Sequence, residues 1–180
     1  DALRQALILR RFARRVRRIG EPFYLVCGYG EAGSTLVKYL TGYYIPVVVI
    51  DIDPHRIAEL TLDDQHYHVF VPGLCADASE AVHLIAGGLL HPMCRRVIAI
   101  TGDDKANLKI AITTKLLSRD VKVIARTEHR DVAANMDSFG TEHVFDPFDT
   151  FVETLVLAWR APASYRLQHW LTGTPGEQRT

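Results

Sequence analysis

Cysteine is scarce: Cys27, Cys75 and Cys94 are the only three, and none forms a C-x-x-C pair. That excludes a disulfide framework or a cysteine zinc site and points to a reducing, cytosolic compartment. No apolar run reaches about 18 residues, so no segment is expected to span a bilayer. The N-terminus is Arg-rich rather than apolar, unlike a secretory signal. GxSxG, HExxH and a Ser-His-Asp order are all missing. Acidic residues are absent from positions 2–20.

That last absence reveals an asymmetry under the zero net charge of the 180 residues. Residues 1–19 hold seven Arg (Arg4, Arg10, Arg11, Arg14, Arg15, Arg17, Arg18) against Asp1, and the rest of the chain carries −6. Residues 2–19 read as a helix with a loose apolar stripe of Leu7, Leu9, Phe12, Val16 and Ile19, closed by Gly20 and Pro22. Such a helix suits an anionic membrane surface; the alternatives are a solvated tail or a helix packed on another chain. No interleaved aromatic platform accompanies the Arg residues, so nucleic acid is not expected as a partner. A chain that opens mid-helix without Met is expected to be part of a longer protein.

With 48% apolar residues, a substantial core is expected. Short apolar runs at 23–27, 45–50, 68–75, 96–100, 121–125 and 142–145 alternate with helical segments near 34–40, 54–62, 79–86, 104–117, 131–139 and 148–160. Strands apolar on both faces, joined by helices, make a parallel sheet of βαβ units. The fold class is therefore α/β: a Rossmann-like doubly wound sheet of six strands in the order 3-2-1-4-5-6, with a C-terminal helix. Pro72 fits the third strand at the sheet edge.

The motif Gly28-Tyr29-Gly30-Glu31-Ala32-Gly33 follows the first strand and opens a helix, as a dinucleotide fingerprint requires. The helix N-terminus then offers N–H groups and a positive dipole end to phosphate. Asp51 ends the second strand, where an acid takes ribose hydroxyls; a carboxylate there favours NAD(H) over NADP(H). Ile52 and Asp53 follow; Asp53 is a second ribose contact or, preferred here, the cap of the helix at Pro54. The remaining strand ends contribute Asp77 and Ala78, Thr101 and Gly102, and Arg126, the cation expected to neutralise phosphate. Of Asp103 and Asp104, one is expected to N-cap the helix that follows. His66 and His68 have no third partner nearby in sequence, so no metal site is expected.

No room remains between Phe23 and Phe145 for a substrate domain, so a sensor is expected rather than an enzyme. The rivals are the nucleotide-binding part of an NAD-dependent oxidoreductase with its substrate domain outside residues 1–180, and an assembly module with an empty pocket.

The Gly28–Gly33 turn, VVVIDID at Val47–Asp53, ADAS at Ala76–Ser79, VIAITGDDKANL at Val97–Leu108 and VIARTEHRDVAANMDSFGTEHVFDP at Val123–Pro147 resemble the N-terminal lobe of the regulator-of-potassium-conductance family, a TrkA-N-type NAD-binding domain. The resemblance runs from Phe23 to Pro147. It implies a cytosolic regulatory domain of a potassium channel or potassium uptake system, at the cytoplasmic face of the cell membrane. NAD(H) is the leading ligand, with AMP or ATP as others. Glu31, where many such members carry a base, argues against a triphosphate. The Gly usual before Asp77 is Ala76. Acids found in calcium-gated members are replaced by Thr101 and Arg126, leaving Glu128, so no calcium is expected there.

The resemblance further implies that the Phe148–Trp159 helix crosses to a second copy to form a homodimer, within a larger ring in some assemblies, through Phe151, Leu155, Val156 and Trp159. It assigns 1–20 to a basic linker helix after a membrane span, 21–147 to the nucleotide-binding lobe, 148–160 to the crossover helix, and 161–180 to a linker or tail.

Overall fold

The computed structural model describes residues 2–63 and 67–172. Its elements are α1 (Ala2–Val16), β1 (Phe23–Cys27), α2 (Glu31–Gly42), β2 (Val47–Asp51), α3 (Pro54–Asp63), β3 (Gly73–Cys75), α4 (Ala81–Ala86), β4 (Cys94–Ala99), α5 (Asp104–Leu117), β5 (Lys122–Arg126), α6 (Arg130–Ser138), β6 (His143–Phe145), α7 (Pro147–Arg160) and α8 (Pro162–Thr172). The strands form one six-stranded sheet in the order β3-β2-β1-β4-β5-β6, with every pairing parallel.

Period-2 alternation sorts the central strands into two apolar layers. Leu25, Val48, Ile50, Val97 and Ala99 face Leu84 of α4, Ile110 of α5 and Met136 of α6. Val26, Val47, Val49 and Ile98 face Val37 and Leu40 of α2 and Leu60 of α3. Each fully buried Val, Leu, Ile or Met among them contributes about 1.5–3 kcal/mol of transfer free energy. Both faces of the sheet are covered, which explains why these strands read as continuous apolar runs.

Several boundaries differ from the sequence reading, among them those of β3, α4 and the segment after Ala161. The third strand is confined to Gly73–Cys75 rather than extending from His68. Pro72 has no N–H to give; its carbonyl accepts from the Val49 N–H at 2.9 Å and the ladder begins one residue later. The fourth helix begins at Ala81 rather than Ser79: Asp77–Glu80 forms a turn of its own, with the Ser79 N–H on the Asp77 carboxylate at 2.8 Å, and Glu80 is extended at ψ 129°. The segment after Ala161, expected as a linker or tail, forms α8, with Pro162 at its first position where the missing N–H costs nothing. His66, of the His66–His68 pair, lies outside the described residues.

The Arg-rich segment is not a solvated tail. Phe12 and Val16 are buried in the same apolar layer as Leu25 and Ile50, and Leu9 and Ile19 pack against it. Gly88 makes this possible: its φ is +90°, and a Cβ there would meet Val16 Cγ1 at 2.6 Å and Phe23 Cζ at 2.7 Å. α7 buries no residue and packs on α8, leaving Phe151 61% and Trp159 83% exposed. Among the described residues no helix is long and apolar enough to cross a membrane.

Candidate functional site

β1 lies between β2 and β4, and the chain leaves it in opposite directions on its two sides. The strand ends splay there, and a cleft of about 670 Å³ opens above them. Gly28 and Gly30 form one wall, Asp51, Ile52 and Asp53 a second, Asp77 and Ala78 a third, and Thr101 and Gly102 a fourth. Ile50, Ile100 and Ile110 contribute apolar lining.

The glycine turn is built by close approach. Gly28 has φ +109°, and a Cβ there would stand 2.9 Å from the Ile100 carbonyl. A Cβ on Gly33 would land on the Gly28 carbonyl oxygen, so α2 can start this near the sheet only with glycine at that position. Space beside Gly30 is open, and no side chain caps α2, of which Gly30 is the N-cap. The first-turn N–H groups of α2 are thus free of a side-chain acceptor, which suits an anion.

Asp51 clamps the turn from the end of the neighbouring strand β2. Its Oδ2 accepts from the Tyr29 N–H at 2.5 Å and its Oδ1 from the Asp53 N–H at 2.8 Å. A carboxylate has about four acceptor sites, so each oxygen keeps one for a hydroxyl. Asp53 accepts from the His55 N–H at 2.8 Å, the capping role preferred on sequence grounds, and also lines the cleft. Asp103 caps α5 through the Lys105 N–H at 2.9 Å. Burial pushes the Asp77 carboxyl up, but hydrogen bonds from Ser79 and the charges of Lys109 and His83 outweigh it, so Asp77 stays below the ordinary carboxylate range.

Other residues of the sequence-predicted set do not line the cleft. The Tyr29 side chain is buried on the far face of the sheet, its hydroxyl 2.5 Å from that of Tyr67 and donating to Asp63 at 3.2 Å. Glu31 and Ala32 line a shallow groove on α2 with Thr35 and Tyr39. Gly33 lies under the helix. Arg126, expected as the phosphate cation, is paired with Glu128 and donates to the Thr101 carbonyl at 3.3 Å.

No cysteine is poised as a nucleophile. Burial, then Asp51 and Asp53, raises the thiol pKa of Cys75, and burial takes Cys94 up to about 12. Among the described residues no group of three or more His, Cys, Asp or Glu is suited to hold a metal ion.

A sequence model of the TrkA-N domain matches residues 24–147. The chain belongs to the TrkA-N domain family. This TrkA-N domain is 23% identical over 142 residues to Potassium channel protein 1 of Methanocaldococcus jannaschii, covering 78% of the chain and 40% of that protein. It is 28% identical over 124 residues to the Putative K(+) efflux antiporter KefB of Alkalimonas amylolytica, covering 67% of the chain and 17% of the antiporter. The chain therefore spans well under half of these curated relatives.

Solved structures share the fold. The TrkA-N domain of the inner membrane protein ybaL from Escherichia coli superposes with a TM-score of 0.65 at 23% identity, covering 74% of this chain and 93% of that one. The GsuK channel bound to NAD gives 0.62 at 16% identity, covering 77% and 24%. The Shewanella denitrificans Kef CTD in AMP-bound form gives 0.60 at 18%, covering 82% and 88%.

The cations that line the cleft of this TrkA-N domain escaped the sequence reading: Arg56, Lys105 and Lys109. Lys109 holds Glu80 at 2.6 Å, and Arg56 lies 3.5 Å from Glu59. A signal existed. Lys105 and Lys109 are four apart in the first turns of α5, which starts at a strand end assigned to the site, so they share a face. Asn107 was also missed as a structural pivot. Fully buried, it accepts from the Thr101 N–H and hydroxyl at 2.9 and 2.8 Å, and donates to the carbonyls of Thr101 and Arg126 at 3.0 Å each. Two donors and two acceptors satisfy the whole amide and fasten the ends of β4 and β5 together.

Proposed function

We propose that this TrkA-N domain is a nucleotide-sensing regulatory domain of a potassium channel or transporter at the cytoplasmic face of the membrane. The observation that carries the reading is the uncapped α2 N-terminus, with Gly28, Gly30 and Asp51 lining one cleft. Phosphate seats on the glycine turn, with Lys105 as the cation in place of Arg126. Ribose meets Asp51, and adenine lies toward Ile52, Asp77 and Ala78. NAD(H) is the leading ligand, with AMP and ATP as others. The NAD- and AMP-bound forms of structurally similar proteins support an adenylate in a cleft of this kind.

The reading is non-catalytic. In it, binding energy acts on conformation rather than on a reacting bond. Swinging a gate from mostly closed to mostly open takes about 5.5 kcal/mol. Four copies, each with a tenfold preference of about 1.4 kcal/mol for one state, supply that amount. The exposed stripe Phe148, Phe151, Val152, Leu155 and Trp159 on α7 supports a homodimer through that helix. In this reading residues 1–20 link a preceding membrane span to a lobe at 21–147, 148–160 is the crossover helix, and 161–180 leads onward.

Calorimetric titration with NADH, AMP and ATP tests the site. Saturable heat with at least one is expected. No heat from any, with a cooperative melt proving the protein folded, leaves an assembly module. Steady consumption of NADH with a metabolite would favour the oxidoreductase instead. Potassium flux through the full-length protein in vesicles, with and without the nucleotide that binds, tests the regulatory part.

A further inference from the structure

We propose that the outer face of α1, together with the groove between α1 and α4, is a docking surface for an anionic phospholipid bilayer. The docking of α1 fixes which way its side chains point. Phe12 and Val16 are buried, and Gly88 leaves room for Val16, so the helix cannot roll. At about 100° per residue the five Arg within α1 fall in an arc of about 140° on the side away from the core, and Arg17 and Arg18 follow in the turn after it. All seven are exposed. Among the described residues none of them forms an ion pair, although Arg15 lies 5.7 Å over the Phe70 ring.

The same outward arc carries apolar side chains. Leu3 is 77% and Leu7 48% exposed. A purely solvated cationic face has no use for leucine at its centre. Arginines with interspersed leucines on the exposed side of a helix match a helix lying in the headgroup region. Beside it, a groove of about 510 Å³ has an apolar floor of Ala13, Val82, Ile85 and Leu90, with Arg10 and Arg17 on its rim. Val82 and Leu90 are each 54% exposed. Cationic rim over apolar floor matches a phospholipid at the interface: phosphate at the guanidinium groups, upper acyl carbons below. A soluble acidic partner accounts for the arginines but not for both sets of exposed aliphatic residues. This inference rests on α1 and α4 alone, so it stands or falls apart from the nucleotide reading.

The test is sedimentation of the chain with vesicles of phosphatidylcholine alone or with about 30% phosphatidylserine. Binding to the anionic vesicles is expected, weakening as salt shortens the screening length. At about fivefold per basic residue, the triple variant Arg4→Gln, Arg11→Gln, Arg18→Gln weakens partitioning on the order of a hundredfold with an unchanged melt. The variant Leu7→Ser with Leu90→Ser weakens binding while leaving its salt dependence as in the parent, and serves should the arginine variant misfold. Excess inorganic phosphate at constant ionic strength leaves vesicle binding intact. Three results would overturn the proposal: equal partitioning to both vesicles, full displacement by phosphate, or self-association of the chain abolished by the arginine variant.

Discussion

Asp51 is where stability and ligand binding are tied most closely, and replacing it separates the two. Both oxygens already hold backbone donors, the N–H groups of Tyr29 and Asp53. A hydrogen bond to a charged group contributes about 1.5–3 kcal/mol, but cleft water re-solvates the freed N–H groups in Asp51→Ala. The net loss is therefore about one such bond, 1.5–3 kcal/mol, rather than two. For a chain of this size each kcal/mol lowers Tm by about 2–4 °C, giving a drop of about 3–12 °C. The ribose contact is lost as well, and the same range weakens nucleotide affinity by about 10- to 150-fold. Asp51→Asn retains one acceptor oxygen and an amide that cannot accept, so it falls between wild type and Ala on both axes. Calorimetry and thermal melts with and without nucleotide read the two effects. A melt within about 1 °C of wild type would refute the clamp. A lowered melt with unchanged affinity for every adenine compound would leave the clamp standing and remove Asp51 from the binding site.

Gly33→Ala forces a Cβ onto the Gly28 carbonyl, so α2 must move off the sheet; overpacking of about 1–3 kcal/mol and loss of nucleotide binding are expected, and an unaltered melt and affinity would contradict the turn geometry. Asp104 Oδ2 accepts from the Thr127 hydroxyl at 2.7 Å, the Glu128 N–H at 2.8 Å and His129 Nδ1 at 2.6 Å. His129 is raised above its ordinary 6.5 by Asp104; burial pushes Asp104 up, yet these hydrogen bonds hold it below 3.8. The His129 contribution is full below 6.5 and fades as pH rises through its folded value, while that of Asp104 fades as pH falls below 3.8. The melting gap between wild type and His129→Gln is thus widest between 3.8 and 6.5, and a gap constant from about pH 5 to about pH 9 counts against the pair. On α7, Phe151→Asp with Leu155→Asp converts a dimer to a monomer in light scattering with the cooperative melt of the core kept; a wild-type chain that is monomeric at every concentration rules that interface out.

The local pattern was enough for the strand order and for the Gly28–Gly33 turn opposite Asp51. Apolar runs of strand length report two covered faces, glycine spacing reports a turn that side chains would block, and both are properties of neighbours in sequence. The edge position of Pro72 follows from its missing N–H. Other features depend on which strand ends meet. Arg126 carries the right charge at the right strand end, yet it pairs with Glu128 and the Thr101 carbonyl and does not line the cleft, while Lys105 and Arg56 reach the cleft from helices. Asn107 looks like any polar helix residue until β4 and β5 come together around its amide. The arginine helix reads as a free arm until Gly88 leaves a place for Val16 against the core, and only that docking decides which way seven positive charges face.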